Sequence, residues 1–294
     1  MRPLLFNLDS DPVLAQQLTE QIEAEAGTII QRYFPDLETY LRIDSNCEGR
    51  DCILFCNLFQ PNDKIMPLIF LAETLRELGA KKIALVTPYL CYMRQDKRFL
   101  PGECVNAIHF GRLISNYIDH LITIDPHLHR IHHLDEVYGI PSQVVKASPL
   151  IADWVKEHIA KPLFLGPDSE SEQWVKEVAK QAKAPFVILE KTRHGDRDVE
   201  ISMPDLEQWQ GHTPVLVDDI ISSGRTMLTT LMQINKLDLE RPYCIGVHGI
   251  FADQAYLELR EHSHVVTTGT IPHPSNAIDI STALSAAIRQ WLNR

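Results

Sequence analysis

The chain has 294 residues, 45% of them hydrophobic and 23% charged, with a formal net charge of −11. That length supports one large domain or two smaller ones, and the composition is that of a globular protein. The acidic balance disfavours a diffuse binder of nucleic acid or of anionic membrane, though local Lys/Arg clusters or Mg²⁺ leave phosphate ligands open.

The six cysteines show no CxxC pair and no zinc spacing, which suits reduced thiols. The first apolar run, Leu4-Leu5-Phe6, is too short for a signal peptide, and no stretch approaches the length of a membrane span. Cytoplasmic residence is the expectation.

In chain order, Leu4-Leu5-Phe6 reads as a strand. Residues 12–26 have helical spacing, with Val13, Leu14, Leu18 and Ile22 on one side and Gly27 as the stop. Residues 28–33 and 39–43 read as a strand pair around Phe34-Pro35-Asp36-Leu37-Glu38. Strands at 51–56, 82–89 and 120–125 alternate with helices at 62–78 and 102–117. The second half repeats the pattern. Helices fall at 149–158, 170–182, 226–234, 253–261 and 280–292, and strands at 162–168, 185–189, 214–217, 243–249 and 265–268. Alternating strands and helices predict an α/β fold of mainly parallel sheets flanked by helices, in two similar domains, 1–146 and 147–294.

In an open parallel sheet, ligands bind beyond the carboxyl ends of the strands. Polar groups converge on that edge here. Residues 214–217 are a short apolar strand, and Asp218 and Asp219 sit where it should end. A hydroxyl-rich turn, Ser222-Ser223-Gly224-Arg225, then leads into a helix. Loop and helix-start amides suit a phosphate, and the carboxylates suit vicinal sugar hydroxyls. The plainer reading is a turn capped by Ser222 or Ser223, which leaves the two acids unexplained.

Tyr92-Met93-Arg94-Gln95-Asp96-Lys97-Arg98 gathers cationic and amide groups after a buried strand, either as an anion-binding loop or as a solvated surface loop. Asp125-Pro126-His127 ends another strand, and His127 suits a metal or a phosphate. His129, His132 and His133 read as surface helix. Lys191 and Arg193 alternate in the polar hairpin 190–198, which suits charge stabilisation on a phosphoryl group in flight or, more plainly, an exposed charged hairpin. There is no GxxxxGK[ST], GxGxxG, GxSxG or HExxH pattern.

Residues 217–226 resemble the ribose-phosphate loop shared by type I phosphoribosyltransferases and ribose-phosphate pyrophosphokinases, the PRPP synthetases. The segments 34–38, 88–98, 123–127, 191–193 and Thr270-Ile271-Pro272 resemble synthetase signatures in the right order, over nearly the whole chain. Details such as Asp219-Ile220-Ile221-Ser222 are similar to the archaeal-type branch.

The resemblance implies two phosphoribosyltransferase-like domains and transfer of the diphosphoryl group of ATP to C1 of ribose 5-phosphate, with Mg²⁺. It implies Arg94 and Gln95 on ATP, and Phe34, Asp36 and Glu38 on adenine from a neighbouring subunit of a homo-oligomer, a dimer or a multiple of dimers. It implies His127 and Asp168 at metal-linked positions and Lys191 and Arg193 at the transition state. Asp218 and Asp219 would take the ribose hydroxyls, and Ser222, Ser223, Gly224, Arg225 and Thr226 the 5-phosphate, with Arg193 beside it.

Two positions depart from the family pattern: Arg225 stands where a glycine is usual, and Glu170 follows Asp168 where small residues are usual. They motivate an alternative, a non-catalytic nucleotide-binding homologue that regulates a partner. A third reading is a diphosphokinase or phosphoribosyltransferase acting on another sugar phosphate or base.

Overall fold

In a computed structural model the described residues are 1–8, 11–166, 171–194, 198–202, 207–237 and 239–294, with the backbone alone at 173, 190–194, 198–202 and 207. The chain divides into two units, Met1–Val145 with Ser281–Arg294, and Lys146–Ile280.

The first unit is built on the strands β1 (Leu4–Asn7), β2 (Glu25–Ala26), β5 (Asp51–Phe55), β6 (Lys82–Thr87), β7 (His120–Ile124) and β8 (Ser142–Val145). They form a six-stranded parallel sheet in the order β2-β1-β5-β6-β7-β8. The central strands are near-continuous apolar runs, buried from Cys52 to Phe55 and from Ile83 to Val86. Helices on both faces leave no polar side, so the period-2 alternation of a half-exposed strand is missing. A separate antiparallel hairpin, β3 (Ile29–Tyr33) and β4 (Thr39–Ile43), stands between β2 and β5 in chain order.

The helices are α1 (Pro12–Gln21), α2 (Asn62–Glu77), α3 (Asn106–Ile114) and α8 (Ser281–Leu292). The closing helix α8 belongs to this unit. Arg289 Nη1 donates to the Gln21 carbonyl (2.6 Å), and Trp291 stacks on His120 at 6.2 Å.

Helix α1 is shorter than its periodicity predicts. Ala24 N–H donates to the Thr19 carbonyl (2.9 Å) and Glu23 N–H to that of Glu20 (3.2 Å), with Glu23 at φ 55°. This is a Schellman end with a non-glycine residue in the left-handed position. Residues 25–26 are then free to pair with β1. Gly27 is not the stop. A Cβ on it would lie 2.4 Å from the Phe6 ring, so it is small because a core aromatic crosses it. Helix α3 is also shorter than predicted, because residues 102–105 belong to a loop folded around the Glu103 carboxylate.

The second unit repeats the plan. Strands β9 (Pro162–Gly166), β10 (Phe186–Ile188), β13 (Thr213–Ile221), β14 (Tyr243–Gly249), β15 (His264–Thr268) and β16 (Asn276–Ile278) form a parallel sheet ordered β10-β9-β13-β14-β15-β16. The hairpin β11 (Glu190–His194) and β12 (Asp198–Ser202) comes between β10 and β13. The helices are α4 (Ser148–His158), α5 (Glu172–Ala182), α6 (Arg225–Ile234) and α7 (Ala255–His262). Buried Met227, Thr230, Leu231 and Ile234 make the inner stripe of α6, which packs with Leu165, Leu216, Cys244 and Leu259.

Among the described residues no helix is long and apolar enough to cross a membrane. None of the six cysteines is in a disulfide, and only Cys104 is exposed.

Candidate functional site

In the second unit the chain winds β9 and β10 towards one edge and then places β13 on the other side of β9. A crevice forms at such a switch, beyond the carboxyl ends of the strands. β13 departs from the predicted strand in an informative way. It runs through both acids to Ile221 and stays paired to β14 as far as Ile221↔Gly249. Its pairing with β9 stops at Leu216↔Leu165. Among the described residues, 218–221 therefore run beyond the end of β9 at Gly166, and Asp218 and Asp219 sit on this overhang, half-buried. Asp219 N–H donates to Asp218 Oδ1 (2.9 Å), which fixes one carboxylate against the strand.

The turn that follows is set by Gly224 at φ 65°. Left-handed backbone favours glycine, and a Cβ here would also sit 3.0 Å from Leu259 Cδ1. Arg225, where a glycine is usual, does not need one here, because the left-handed residue is Gly224 and Arg225 is the first residue of α6, exposed. The N-cap residue of α6 is Gly224, which has no side chain to cap it. The amides of a helix's first turn suit an anion. The turn is braced by Ala252 N–H to the Ser222 carbonyl (3.1 Å) and by Leu228 N–H to that of Gly224 (2.8 Å).

The Thr270 hydroxyl donates to the Val247 carbonyl (2.8 Å) and lies 2.9 Å from His248 Nδ1, in a buried cluster at the same end of β14. Lys191 and Arg193 lie two residues apart on β11, with Ile201 and Val199 as register partners. Asp168 and Glu170 lie outside the described residues.

In the first unit the loops after β6 and β7 are clamped together. The Asp96 side chain is only 2% exposed, and Arg130 Nη1 reaches both of its oxygens at 3.3 Å. This pair fixes the loop carrying Arg94 and Gln95 against the loop carrying His127. A second brace is the Glu103 carboxylate, whose Oε2 accepts Phe99 N–H (2.7 Å), Leu100 N–H (3.0 Å) and Gln95 Nε2 (3.3 Å). Those backbone donors, Leu100 first and then Phe99, hold its carboxyl below the ordinary range.

Arg94 is exposed and Gln95 half-buried. After β7 the backbone turns tightly about Pro126, with His127 N–H on the Asp125 carbonyl (2.8 Å) and with φ 32° at Asp125 and 55° at His127. Two non-glycine residues in left-handed backbone store strain of the kind found at functional turns. His129 packs its ring 4.1 Å from that of His127. Residues 129–133 form bends and extended chain rather than the predicted surface helix, with His132 and His133 N–H both on Glu136 Oε1.

Phe34, Asp36 and Glu38 form the tip of the β3/β4 hairpin. Phe34 is 40% exposed, with the Arg32 guanidinium 4.9 Å from its ring centre. Phe34 N–H bonds the Glu38 carbonyl (2.8 Å), and Glu38 N–H bonds Asp36 Oδ1 (3.2 Å), so the tip is preshaped.

The braces Glu103 and Arg130 went unread in the sequence. Arg130 pairs with a residue 34 positions away, and no local pattern marks that. Glu103, just after Pro101-Gly102, carried a weak turn signal.

The chain matches two family models, the N-terminal domain of ribose phosphate pyrophosphokinase over residues 4–117 and a phosphoribosyl transferase domain over residues 134–283. It is 31% identical to a ribose-phosphate pyrophosphokinase of Sulfurisphaera tokodaii, over 93% of this chain and 96% of that one. It is 32% identical to the one from Thermococcus kodakarensis, over 84% and 87%. Its fold matches a phosphoribosylpyrophosphate synthetase from Mycobacterium smegmatis with a TM-score of 0.87 at 22% identity, covering 100% of this chain and 99% of that one. These relatives carry an enzyme's name, so the regulatory, non-catalytic alternative is not favoured. With family models on both halves and relatives along its length, the chain belongs to the ribose-phosphate pyrophosphokinase family.

Proposed function

We propose that this enzyme transfers the diphosphoryl group of ATP to the C1 hydroxyl of ribose 5-phosphate. The C1 oxygen attacks the β-phosphorus, the bond from that phosphorus to the α–β bridging oxygen breaks, and AMP departs with that oxygen. The hydroxyl proton is lost, and PRPP is the second product. The observation that carries this reading is the β13 overhang. Two half-buried carboxylates for ribose hydroxyls lie one turn before a glycine-set helix start suited to a 5-phosphate.

In this reading Asp218 and Asp219 accept hydrogen bonds from the ribose hydroxyls. Ser222, Ser223, Gly224, Arg225 and Thr226 hold the 5-phosphate, and the Arg225 guanidinium adds a charge. Arg94 and Gln95 hold the ATP phosphates, and Phe34 stacks on adenine while Asp36 and Glu38 accept from it. Lys191 and Arg193 offset the charge that develops on the moving diphosphoryl group, and Arg193 reaches the sugar phosphate as well. Little covalent work is asked of the protein, so positioning and charge carry the rate.

The donor chemistry fits Mg²⁺. The carboxylates of Asp218 and Asp219 are hard oxygen donors beside expected phosphates, and His127, half-buried on a strained turn, and Asp168 are the proposed metal-linked positions. Bound Mg²⁺ supplies neutralisation of triphosphate charge. We place the enzyme in the cytoplasm as a homo-oligomer, with the β3/β4 tip serving a neighbouring copy.

The test is an assay of AMP formation. Activity should require both ATP and ribose 5-phosphate and fall away when Mg²⁺ is chelated. Turnover no higher than that of Lys191→Ala overturns the reading. A screen of other sugar phosphates against ATP checks the substrate.

A further inference from the structure

A cavity of about 410 Å³ opens at the amino ends of β14 and β15, among Trp154 and His158 of α4, Arg241, Tyr243, Arg260 of α7 and His264. Strand β14 separates it from the ribose-phosphate loop, since Gly249 at the other end pairs with Ile221. Seven residues of strand put about 20 Å between the two.

The rings are set flat. Trp154 and His158, one helical turn apart, stack at 4.4 Å with their planes 8° apart. His158 is held there by Nδ1–H to the Trp154 carbonyl (2.8 Å). Tyr243 lies edge-on to Trp154 at 6.0 Å, and His264 lies 4.8 Å from Tyr243. Such a wall offers faces for another planar ring.

The charge is permanent and of one sign. Arg241 Nη2 donates to the carbonyls of Arg260 (2.8 Å), Ser263 (3.2 Å) and Glu261 (3.3 Å) at the end of α7, which fixes its guanidinium. Its Nε and Nη1 have no partner among the described residues. The Arg260 guanidinium has no hydrogen bond or ion pair among them either. Burial first, and then the Arg241 charge, lower the pKa of His264. No carboxylate lines the cavity. A prefixed arginine fork beside a second arginine matches a phosphate or carboxylate group. The volume is that of a small-ligand site.

We propose that this cavity is a second ligand site, which takes a planar aromatic anion of the nucleoside monophosphate class. The ring lies against Trp154 and Tyr243 and the anionic group on Arg241 and Arg260.

The experiment is photolabelling of the full chain with 2-azido-AMP, followed by peptide mapping. Label is expected on peptides from 148–158 and 255–266. Arg260→Ala, an exposed residue outside the reaction machinery, should cut that label at least about tenfold while leaving AMP formation and label elsewhere unchanged. AMP should protect these peptides at concentrations at least about tenfold below those needed of adenosine or inorganic phosphate alone. Label absent from these peptides overturns the proposal, as does label that survives Arg260→Ala. Protection by phosphate as good as that by AMP also overturns it, because a bare anion site needs no ring. Trp154→Leu, which should cut the same label, serves as the second variant.

Discussion

In the first unit an antiparallel hairpin, β3/β4, falls in chain order between β2 and β5. In the second, β11/β12 falls between β10 and β13, at the same place in the same sheet order. The first hairpin carries an exposed aromatic and acids at its tip, Phe34, Asp36 and Glu38. The second carries cations, Lys191 and Arg193. The strands that follow differ as well. β5 pairs with β1 to its last residue, Asn7↔Phe55, and leads into buried Cys56 and Asn57. β13 outruns β9 and puts two acids on the overhang. One scaffold used twice has been given different chemistry at equivalent places, and the function follows the sites rather than the fold.

The hardest test of that division sets the hairpins against each other. Lys191→Ala should lower kcat about a thousandfold with KM for ATP little changed, because its charge matters only as the diphosphoryl group moves. Phe34→Ala should raise KM for ATP about tenfold and leave kcat within about threefold, because stacking is made in ground state and transition state alike. Steady-state kinetics in both substrates decides. Equal losses of kcat in the two variants would erase the distinction between a binding hairpin and a catalytic one.

The overhang and its turn come next. Gly224→Ala puts a side chain at φ 65° and 3.0 Å from Leu259. It should cost about 1–2 kcal/mol of stability and raise KM for ribose 5-phosphate about tenfold or more. Arg225→Gly, which restores the family's usual residue, should leave kcat and stability nearly unchanged and raise KM for ribose 5-phosphate only about three- to tenfold, since Arg225 has ordinary helical backbone and loses one charge on the 5-phosphate. Chemical unfolding and kinetics on the pair show whether the turn depends on position 224 or 225.

In the first unit the corresponding support is Glu103. Glu103→Gln leaves Gln95 and the 99–100 amides with a weaker acceptor and should raise KM for ATP about three- to tenfold, with KM for ribose 5-phosphate unchanged. The carboxyl is held low in the folded loop. Its contribution is therefore complete above the ordinary carboxylate value and is lost as pH falls through the depressed folded one. ATP affinity measured down the acid limb should show this loss in the parent chain and not in the variant.

Much of this was legible in the residues. The strands buried on both faces announced themselves as apolar runs bounded by turns, and β14 was read to the residue. Asp218, Asp219 and the turn to Thr226 were legible because strand, acids, small residues and helix follow one another without a gap. β8 and β16 were missed, being short edge strands with half-buried polar positions that carry neither an apolar run nor an alternation. The early end of α1 was missed because Glu23, not a glycine, takes the left-handed position. The braces Asp96–Arg130 and Glu103 were missed because their signal is a tertiary pairing, and the continuation of β13 because the acids mask a strand that β14 sustains.

The smallest expected effect returns to the two units through the strands that open with a histidine, β7 at His120 and β15 at His264. His264 is exposed, whereas His120 is 3% exposed, is stacked under Trp291 of the closing helix, and has a buried Nε2 without a hydrogen-bond partner among the described residues. Burial first, then the charges of Arg294 and Lys82, push its pKa down to about 4. A lowered value means that the unfolded chain takes up the proton first, at about 6.5, so stability is complete above that value and declines as pH falls from about 6.5 to about 4. Between pH 7 and 5 this group should cost about 1–2 kcal/mol, allowing for solvent relaxation around the ring. His120→Phe keeps a ring beneath Trp291 and removes the proton, so its unfolding free energy should lack that part of the acid slope. His264→Phe should remove a smaller part of the slope, because His264, exposed at the surface, is lowered less by burial and the Arg241 charge. Equal slopes in the two variants would mean that the closing helix does not seal β7.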